Sequence, residues 1–296
     1  MRFVFAPFGS TAPSGAAACD GLVPGAELDL SHWRHNKTPA HLKRDTSVEI
    51  ALAFLEERSA HDLEIATNNH FDADGVLAIW TLLRPELAQQ HRSVIVAAAE
   101  HGDFDLWPTD ERGIWLEIAI SSLAKRHGER TAYTEVLRAL DALIPNLERH
   151  ESLWGESYQA LVSRTSEIER GRVRIEPIGP IGVVVHESGA PELPGALRAR
   201  HAPEGIERWL LAFADGAGRY SYRYELPGWS WADTVTRPRL TMPRRGPIRR
   251  ALGGEWVIKG RLGMTGIAYT DRAIATEPGT VARLLTELEA RAALTT

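Results

Sequence analysis

The stretch from Leu63 to Trp80 constrains the fold more than any other part of the chain. It begins with a β-like run, Leu63–Thr67, passes through a polar loop and continues as a helical pattern of apolar residues. A further helix is predicted near Ser47–Arg58, between this strand and a second β-like run at Glu27–Leu30. Strands that alternate with helices predict an α/β fold with a sheet that is at least partly parallel and flanked by helices.

The pattern changes near residue 172. Residues 86–172 are mostly helical in pattern, whereas β-like runs such as Val173–Ile178 dominate the part that follows. A closing helix is predicted near Gly279–Ala293. We therefore predict an α/β domain with a helical extension over residues 1–172 and a smaller α+β domain over residues 173–296.

Composition excludes several classes of protein. The net charge of −5 gives no overall electrostatic basis for binding duplex DNA. Cys19 is the only cysteine among the 296 residues, so an internal disulfide and a thiolate zinc site are both excluded. No apolar run reaches the roughly 18 residues that a membrane-spanning helix needs. We expect a cytoplasmic protein that does not enter a membrane.

The polar loop carries three candidate metal ligands. His70, Asp72 and Asp74 stand at every second position, and in an extended stretch alternate side chains point the same way. One imidazole and two carboxylates could then converge on one point, while Gly75 would ease the turn into the following helix. Such a ligand set suits Mn²⁺ or Mg²⁺, and Zn²⁺ or Fe²⁺ would also fit.

A structural interpretation of the same loop stays open. Acidic turns are common, and Asp74 could simply cap the helix that follows. We favour the metal site because the polar residues follow a predicted central strand directly. The carboxyl ends of strands are where open α/β sheets bind ligands.

Two other segments could add ligands. His101 and Asp103 flank a glycine and could supply the second segment that a pair of metal ions needs, although a helix end at Gly102 followed by an acidic turn would look alike. Asp29 and His32 follow another predicted strand and could reach the same sheet edge, or could belong to a surface loop.

The segment His70–Ala78 resembles the first motif of the DHH phosphoesterase superfamily. The resemblance implies hydrolysis of phosphodiester or phosphoanhydride bonds with two manganese ions, held in part by His70, Asp72 and Asp74. It also implies an α/β domain, a helical connection and a smaller C-terminal substrate domain. The chain departs from that family in lacking an Asp-His-His triplet and a Gly-Gly-Gly-His run, to which Leu252–Gly254 comes nearest. The loop also resembles that of an uncharacterised bacterial family.

A second resemblance competes with the first. Asp72–Val76 is similar to the first motif of phosphatases of the haloacid-dehalogenase type, in which the first aspartate attacks phosphorus. In those enzymes the aspartate directly follows an apolar strand, whereas Asn68, Asn69 and His70 intervene in this chain. This resemblance therefore ranks below the first.

A basic cluster lies in the C-terminal part. Eight arginines and lysines fall between Arg237 and Arg261 with one acidic residue among them. Arginine side chains suit phosphate groups, and nearby tryptophans could stack a base. The alternative is a solvated strand face above core tryptophans.

The leading hypothesis is a metal-dependent phosphoesterase with Mn²⁺ or Mg²⁺ as cofactor. Its substrate would be a small phosphorylated compound or a short single-stranded nucleic acid, and a homodimer stays open. A non-catalytic module that binds a nucleotide or a partner is the second hypothesis, and an aspartyl-phosphate phosphatase is the third. The predicted residues are Asp72, Asp74 and His101 for catalysis, His70, Asp72, Asp74 and Asp103 for metal binding, and Asn69, His32, Arg245, Arg250 and Arg261 for substrate binding.

Overall fold

The computed structural model describes residues 3–7, 11–57, 62–127, 129–259 and 266–293. The chain forms two compact units. Unit 1 comprises Met1–Ala160 together with Ala232–Pro238, and unit 2 comprises Leu161–Trp231 and Arg239–Thr296. The predicted α/β class is confirmed, with one parallel and one mixed sheet. The division at residue 172 stays a prediction, and it did not foresee the return of residues 232–238 to unit 1.

Unit 1 contains a parallel sheet of four short strands. These are β1 (Val4–Phe5), β2 (Ala16–Cys19), β3 (Leu28–Leu30) and β4 (Ile65–Thr67), in the order β1-β4-β2-β3. Strand β2 is fully buried and pairs with β3 on one side and β4 on the other. The sequence analysis assigned no strand here, because three alanines and a cysteine have weak strand propensity. Burial between two strands outweighs that propensity.

Helices flank this sheet. In chain order they are α1 (Ser47–Glu56), α2 (Ala73–Leu83), α3 (Pro85–Gln90), α4 (Arg92–Phe104), α5 (Arg112–Arg126) and α6 (Glu129–Leu143), followed by the 3-10 helix Ile144–His150 and α7 (Glu151–Ser163). A capping box of Thr46 and Glu49 starts α1. Helix α2 ends at Leu83, two residues before the proline that opens α3, as a proline boundary requires. Helices α1 and α2 supply much of the buried apolar core.

Unit 2 contains a six-stranded sheet. Its strands are β5 (Val173–Ile178), β6 (Ile181–His186), β7 (Arg208–Ala214), β8 (Tyr220–Glu225), β9 (Trp256–Lys259) and β10 (Ile267–Thr270), in the order β5-β6-β7-β8-β10-β9. Among the described strands of this sheet, only β6 and β7 pair in parallel. The helices are α8 (Thr165–Glu169), α9 (Gly195–His201), α10 (Arg245–Leu252) and α11 (Pro278–Ala293). No helix in the described part of the chain is long and apolar enough to cross a membrane.

Candidate metal centre

The centre is built on the carboxyl ends of three neighbouring strands of unit 1. Asp20 follows β2, His32 lies two residues beyond β3, and the loop after β4 carries His70 and Asp72. Because the strands are parallel, these three loops emerge at the same edge of the sheet. Asp103 reaches the same place from the last turn of α4.

Asp20 lies at the middle of the centre. Its backbone has a left-handed conformation, with φ of 67°, which aspartate and asparagine tolerate better than most residues. The Asp20 N–H donates to the carbonyl of Leu30 at 2.9 Å, and the next residue, Gly21, donates to Oδ1 of Asn68 at 2.9 Å. The turn after β2 is therefore tied to both neighbouring strands, and the carboxylate is fully buried.

A first group of side chains is buried. It consists of Asp20, His32, Asp74 and Asp103, whose potential ligand atoms lie within 4.8 Å of one another. Nε2 of His32 is 3.2 Å from Asp103 Oδ2, 3.3 Å from Asp20 Oδ1 and 3.6 Å from Asp74 Oδ2. One imidazole therefore faces three carboxylates in a space that water scarcely reaches.

A second group shares Asp20 but opens toward solvent. Nε2 of His70 is 2.9 Å from Asp20 Oδ2 and 2.6 Å from Asp72 Oδ2. The side chains of His70 and Asp72 are 28% and 34% exposed, whereas Asp20 is fully buried. Within the described residues, Asp20 is the one member common to both groups, and each of its oxygens faces a different imidazole.

Both imidazoles are oriented by a bond on the far side of the ring. Nδ1 of His32 lies 2.7 Å from the carbonyl oxygen of Asp45, and Nδ1 of His70 lies 2.9 Å from Oδ1 of Asn69. Each oxygen accepts a hydrogen bond from Nδ1–H, which directs Nε2 toward the carboxylates. Metal-binding histidines in proteins are held in this way.

The start of α1 holds two of the carboxylates. Asp74 accepts hydrogen bonds from the backbone N–H of Ser47 at 2.7 Å and of Val48 at 2.8 Å. The Ser47 hydroxyl donates to Asp20 Oδ1 at 3.0 Å. Free N–H groups at a helix start stabilise negative charge, so α1 fixes these carboxylates in place.

The alternative of an acidic turn with a helix cap is also realised, but the cap is Asp72 rather than Asp74. Asp72 Oδ1 accepts from Gly75 N–H at 2.8 Å, which leaves Oδ2 for the second group. Gly75 lies within α2, where any residue could adopt the backbone conformation. A Cβ there would lie 2.3 Å from Asn68 Nδ2, so glycine is required for space rather than for a turn.

Crowded charges shift the protonation of the metal-free centre. Burial lowers the pKa of His70, but the carboxylates of Asp20 and Asp72 outweigh it and raise that pKa to about 10. Burial raises the pKa of Asp103 to about 7, against the effect of His32. Burial and neighbouring carboxylates raise the pKa of Asp74, whereas the two imidazoles overcome burial and lower that of Asp20. The metal-free centre therefore collects protons, which bound cations would replace.

The donor set fits divalent cations. Four carboxylates and two imidazoles face one another, both imidazoles are anchored on their far sides, and three of the six residues are fully buried. An uncompensated cluster of this charge is costly inside a protein. Carboxylate oxygens with imidazole nitrogens suit Mn²⁺, Mg²⁺, Zn²⁺ or Fe²⁺. The residues could thus hold metal in two adjoining places.

The structure brings together most of the predicted ligands. His70, Asp72, Asp74 and Asp103 all belong to the two groups, and so does His32, which the sequence offered both as a substrate contact and as an additional ligand.

Other predicted residues lie elsewhere. His101 belongs to neither group, and its Nδ1 bonds to the carbonyl of Leu106 at 2.8 Å. Because α4 continues through Phe104, residues 101 and 103 point about 200° apart around the helix. Asn69 contacts His70, and Asp29 accepts from Lys37 N–H at 2.8 Å, away from both groups.

The predicted substrate-binding arginines belong to unit 2. Arg245 and Arg250 are exposed on α10, and Arg261 lies outside the described residues. Trp256 is fully buried in the core of unit 2, as the alternative of core tryptophans expects.

Sequence reasoning missed Asp20. A signal was present, because Asp20-Gly21 follows a run of small apolar residues just as Asp74-Gly75 follows a strand and its loop. The weak strand propensity of that run hid the strand and therefore the aspartate at its end.

The fold and the site together define an α/β protein with a two-part candidate metal centre at the carboxyl edge of a parallel sheet. A family model matches residues 1–253, and the chain belongs to that family, DUF6687, described as a family of unknown function. No curated protein matches the chain at a significant level. Among solved structures, the chain is similar to "pGpG-specific phosphodiesterase - PggH" from Vibrio cholerae, with 11% sequence identity and a TM-score of 0.46. The match covers 93% of this chain and 83% of that one.

Proposed function

We propose that this protein is a metal-dependent hydrolase of phosphodiester or phosphoanhydride bonds. The observation that carries the proposal is the position of Asp20, whose two oxygens face the two groups of candidate ligands at 3.3 Å and 2.9 Å from their imidazoles. A carboxylate placed between two such groups could coordinate a cation in each of them. Two bound divalent cations would supply a nucleophilic water at neutral pH and Lewis acidity toward the phosphoryl oxygens.

The two groups differ in ways that suggest different roles. The first group offers four ligands in a buried space, which favours tight and permanent binding. The second offers three ligands and is partly open, which leaves room for substrate beside His70 and Asp72. Trp33 flanks this opening, with its ring centre 4.9 Å from that of His70. We therefore place the scissile phosphate at the second group.

The residues of the chain have distinct tasks in this proposal. Asp20 holds the two positions in register, and Asp74, fixed by the start of α1, keeps the buried ligands rigid. Asn69 keeps the His70 proton on Nδ1, so that Nε2 remains available. Rigid positioning of this kind is what an electrostatic mechanism of phosphoryl transfer demands. His101 has no task in it, since it belongs to neither group of candidate ligands.

The likeness to the first DHH motif supports the same reaction class. The missing triplet leaves membership of that superfamily a proposal. The substrate class stays a small phosphorylated compound or a short oligonucleotide, and the exposed arginines of α10 remain candidates for holding its phosphates. The haloacid-dehalogenase mechanism is less well supported, because one oxygen of Asp72 caps α2 and the other faces His70.

Metal content and hydrolysis test the proposal together. Protein stripped with a chelator would be reloaded with Mn²⁺ or Mg²⁺, measured by elemental analysis and assayed on pyrophosphate, a chromogenic phosphodiester and short oligonucleotides. We expect two ions per chain and hydrolysis of at least one substrate, with both reduced in a His70→Ala/Asp72→Ala double variant. Asp105→Asn is the control, because Asp105 is exposed and belongs to neither group.

The outcomes separate the alternatives. A wild-type protein that binds no metal would sink the proposal. Metal binding without any hydrolysis would favour a binding module. Hydrolysis with a trapped phosphoryl group on Asp72 would favour the aspartyl-phosphate mechanism.

A further inference from the structure

Seven residues that interrupt the sequence of unit 2 belong structurally to unit 1. The segment Ala232–Pro238, here called the return segment, lies between two stretches of unit 2 in the sequence. It packs on the loop that carries His32, on Asp45 and on α4, which carries Asp103. Its first residues pair with the His32 loop: Ala232 forms an antiparallel bridge with Trp33, and Asp233 N–H donates to the carbonyl of His32 at 2.7 Å.

One side chain holds the middle of the return segment. Oδ1 of Asp45 accepts from the backbone N–H of Val235 at 2.6 Å and of Thr236 at 2.8 Å, and Oδ2 accepts from the Thr236 hydroxyl. The carboxylate is 6% exposed, so these bonds are shielded from water. Nε of Arg237 lies 3.3 Å from Oδ2 and completes its surroundings. Burial opposes the ionised form, but these donors lower the pKa of Asp45.

The same residue orients a metal ligand with its backbone. The carbonyl oxygen of Asp45 accepts the hydrogen bond from Nδ1 of His32 at 2.7 Å. Asp45 therefore binds the return segment with its side chain and the His32 ring with its main chain. A movement of the peptide at residue 45 would disturb both sets of bonds together.

The return segment also reaches the helix that carries Asp103. Nη2 of Arg237 lies 2.5 Å from Oε1 of Glu100 on α4, and its guanidinium lies over the ring of Phe104, 5.4 Å from the ring centre. That ring is in turn 5.7 Å from the imidazole of His32. The segment thus links the His32 loop to the end of α4, which are two of the walls of the buried group.

We propose that Asp45 is a positioning residue for the buried metal site, and that metal binding there and the seating of the return segment on Asp45 stabilise each other. This inference rests on the proposed function, because it requires that the buried group binds a metal ion. Its physical basis is linkage: if the seated segment raises metal affinity, metal must favour the seated segment to the same degree. Changes in groups that orient metal ligands reduce metal affinity by roughly 10- to 100-fold, which sets the expected size of the effect.

Measurements of Mn²⁺ binding to the full chain test whether Asp45 positions the buried metal site. Asp45→Ala removes the carboxylate but keeps the carbonyl that holds His32, and we expect it to weaken the tighter Mn²⁺ site by roughly 10-fold or more. Thr236→Val removes one hydroxyl and should weaken the site less, and it serves if the first variant folds poorly. The matched control is Asp215→Ala in unit 2, because Asp215 also accepts two backbone N–H bonds and faces an arginine.

Hydrogen exchange on the wild-type protein tests whether metal binding stabilises the return segment on Asp45. We expect the amides of Val235 and Thr236 to exchange more slowly after Mn²⁺ is added. The amides of Ala217 and Arg219, which bond to Asp215, should not change and serve as an internal reference.

Three results would count against the inference. Wild-type affinity in both Asp45→Ala and Thr236→Val would overturn it while leaving the proposed function intact. Hydrogen-exchange rates at Val235 and Thr236 that do not change when Mn²⁺ is added would overturn the mutual stabilisation. A wild-type protein that binds no metal would remove the proposed function and the inference with it.

Discussion

Replacing Asp20 with asparagine would test the candidate metal centre at the residue that its two groups share. Asp20→Asn preserves size, and asparagine accepts the left-handed backbone that this position has, with φ of 67°. The amide oxygen can still accept from the Ser47 hydroxyl, now 3.0 Å from Oδ1. The substitution therefore removes one negative charge and one ligand atom with little change of shape.

The size of the effect follows from the charge removed. Two unit charges 4 Å apart attract by roughly 4 kcal/mol at an effective dielectric constant near 20, and desolvation of the ions offsets part of this. If about 1.4 to 2.8 kcal/mol per ion survives, each dissociation constant rises by roughly 10- to 100-fold. Because Asp20 belongs to both groups, both binding events should weaken.

Two other variants show whether one site or both sites are weakened. Asp103→Asn should weaken only the buried site, and Asp72→Asn only the open one, since each belongs to one group. Asparagine is also a good helix cap, so α2 should survive the change at position 72. Mn²⁺ titration by calorimetry, with elemental analysis after gel filtration, would distinguish the three patterns.

The control is Asp105→Asn. Asp105 also has a left-handed backbone, with φ of 54°, but it is exposed and lies in neither group. Two ions bound with unchanged affinity in Asp20→Asn would refute the shared-ligand arrangement. Loss of both ions in Asp105→Asn would mean that the measurement reports general damage.

Three further predictions follow from the geometry. Gly75→Ala should lower the free energy of unfolding, measured in urea, by about 1–3 kcal/mol, because its Cβ would lie 2.3 Å from Asn68 Nδ2. Gly246→Ala in α10 is the control and should be neutral or stabilising. Equal effects of the two substitutions would contradict the argument that Gly75 is required for space. Asn69→Ala should weaken the open site roughly 10-fold and spare the buried one, as titration of Mn²⁺ would reveal, since the far side of His70 loses its anchor. The raised pKa values of Asp103, about 7, and His70, about 10, mean that the metal-free fold holds protons that the unfolded chain would release. In thermal denaturation, the stability of the metal-free protein should therefore fall as pH rises from 3.8 to about 7, through Asp103, and from 6.5 to about 10, through His70. Mn²⁺ binding at pH 7.5 should release at least one proton in calorimetry with two buffers. A stability that rises over this range, or binding without proton release, would contradict these protonation states.

Local pattern was enough to predict much of the architecture. Helical periodicity predicted α1 and α2, and the β-like runs at residues 27–30 and 63–67 correspond to β3 and β4. These elements were readable because the hydrophobic period and the caps are written in neighbouring residues. Strand β2 was not readable, since its strand conformation depends on pairing with β3 and β4 rather than on its own alanines.

The same distinction between local pattern and tertiary structure applies to the residues of the candidate centre. The sequence by itself placed His70, Asp72 and Asp74 close together after a strand, because their spacing is local. The expected convergence of all three on one point did not hold, because Asp74 lies inside α2 and belongs to the buried group, whereas His70 and Asp72 belong to the open one. Only the tertiary structure decided that Asp20 joins the two groups, that His32 and Asp103 complete the buried one, and that His101 stays outside. The physical reason is that convergence of separate loops depends on strand order and on the length of α4, and neither is encoded in the residues of the site. The return of residues 232–238 to unit 1 is the most distant case, since Asp45 and Thr236 meet across 191 positions of the chain.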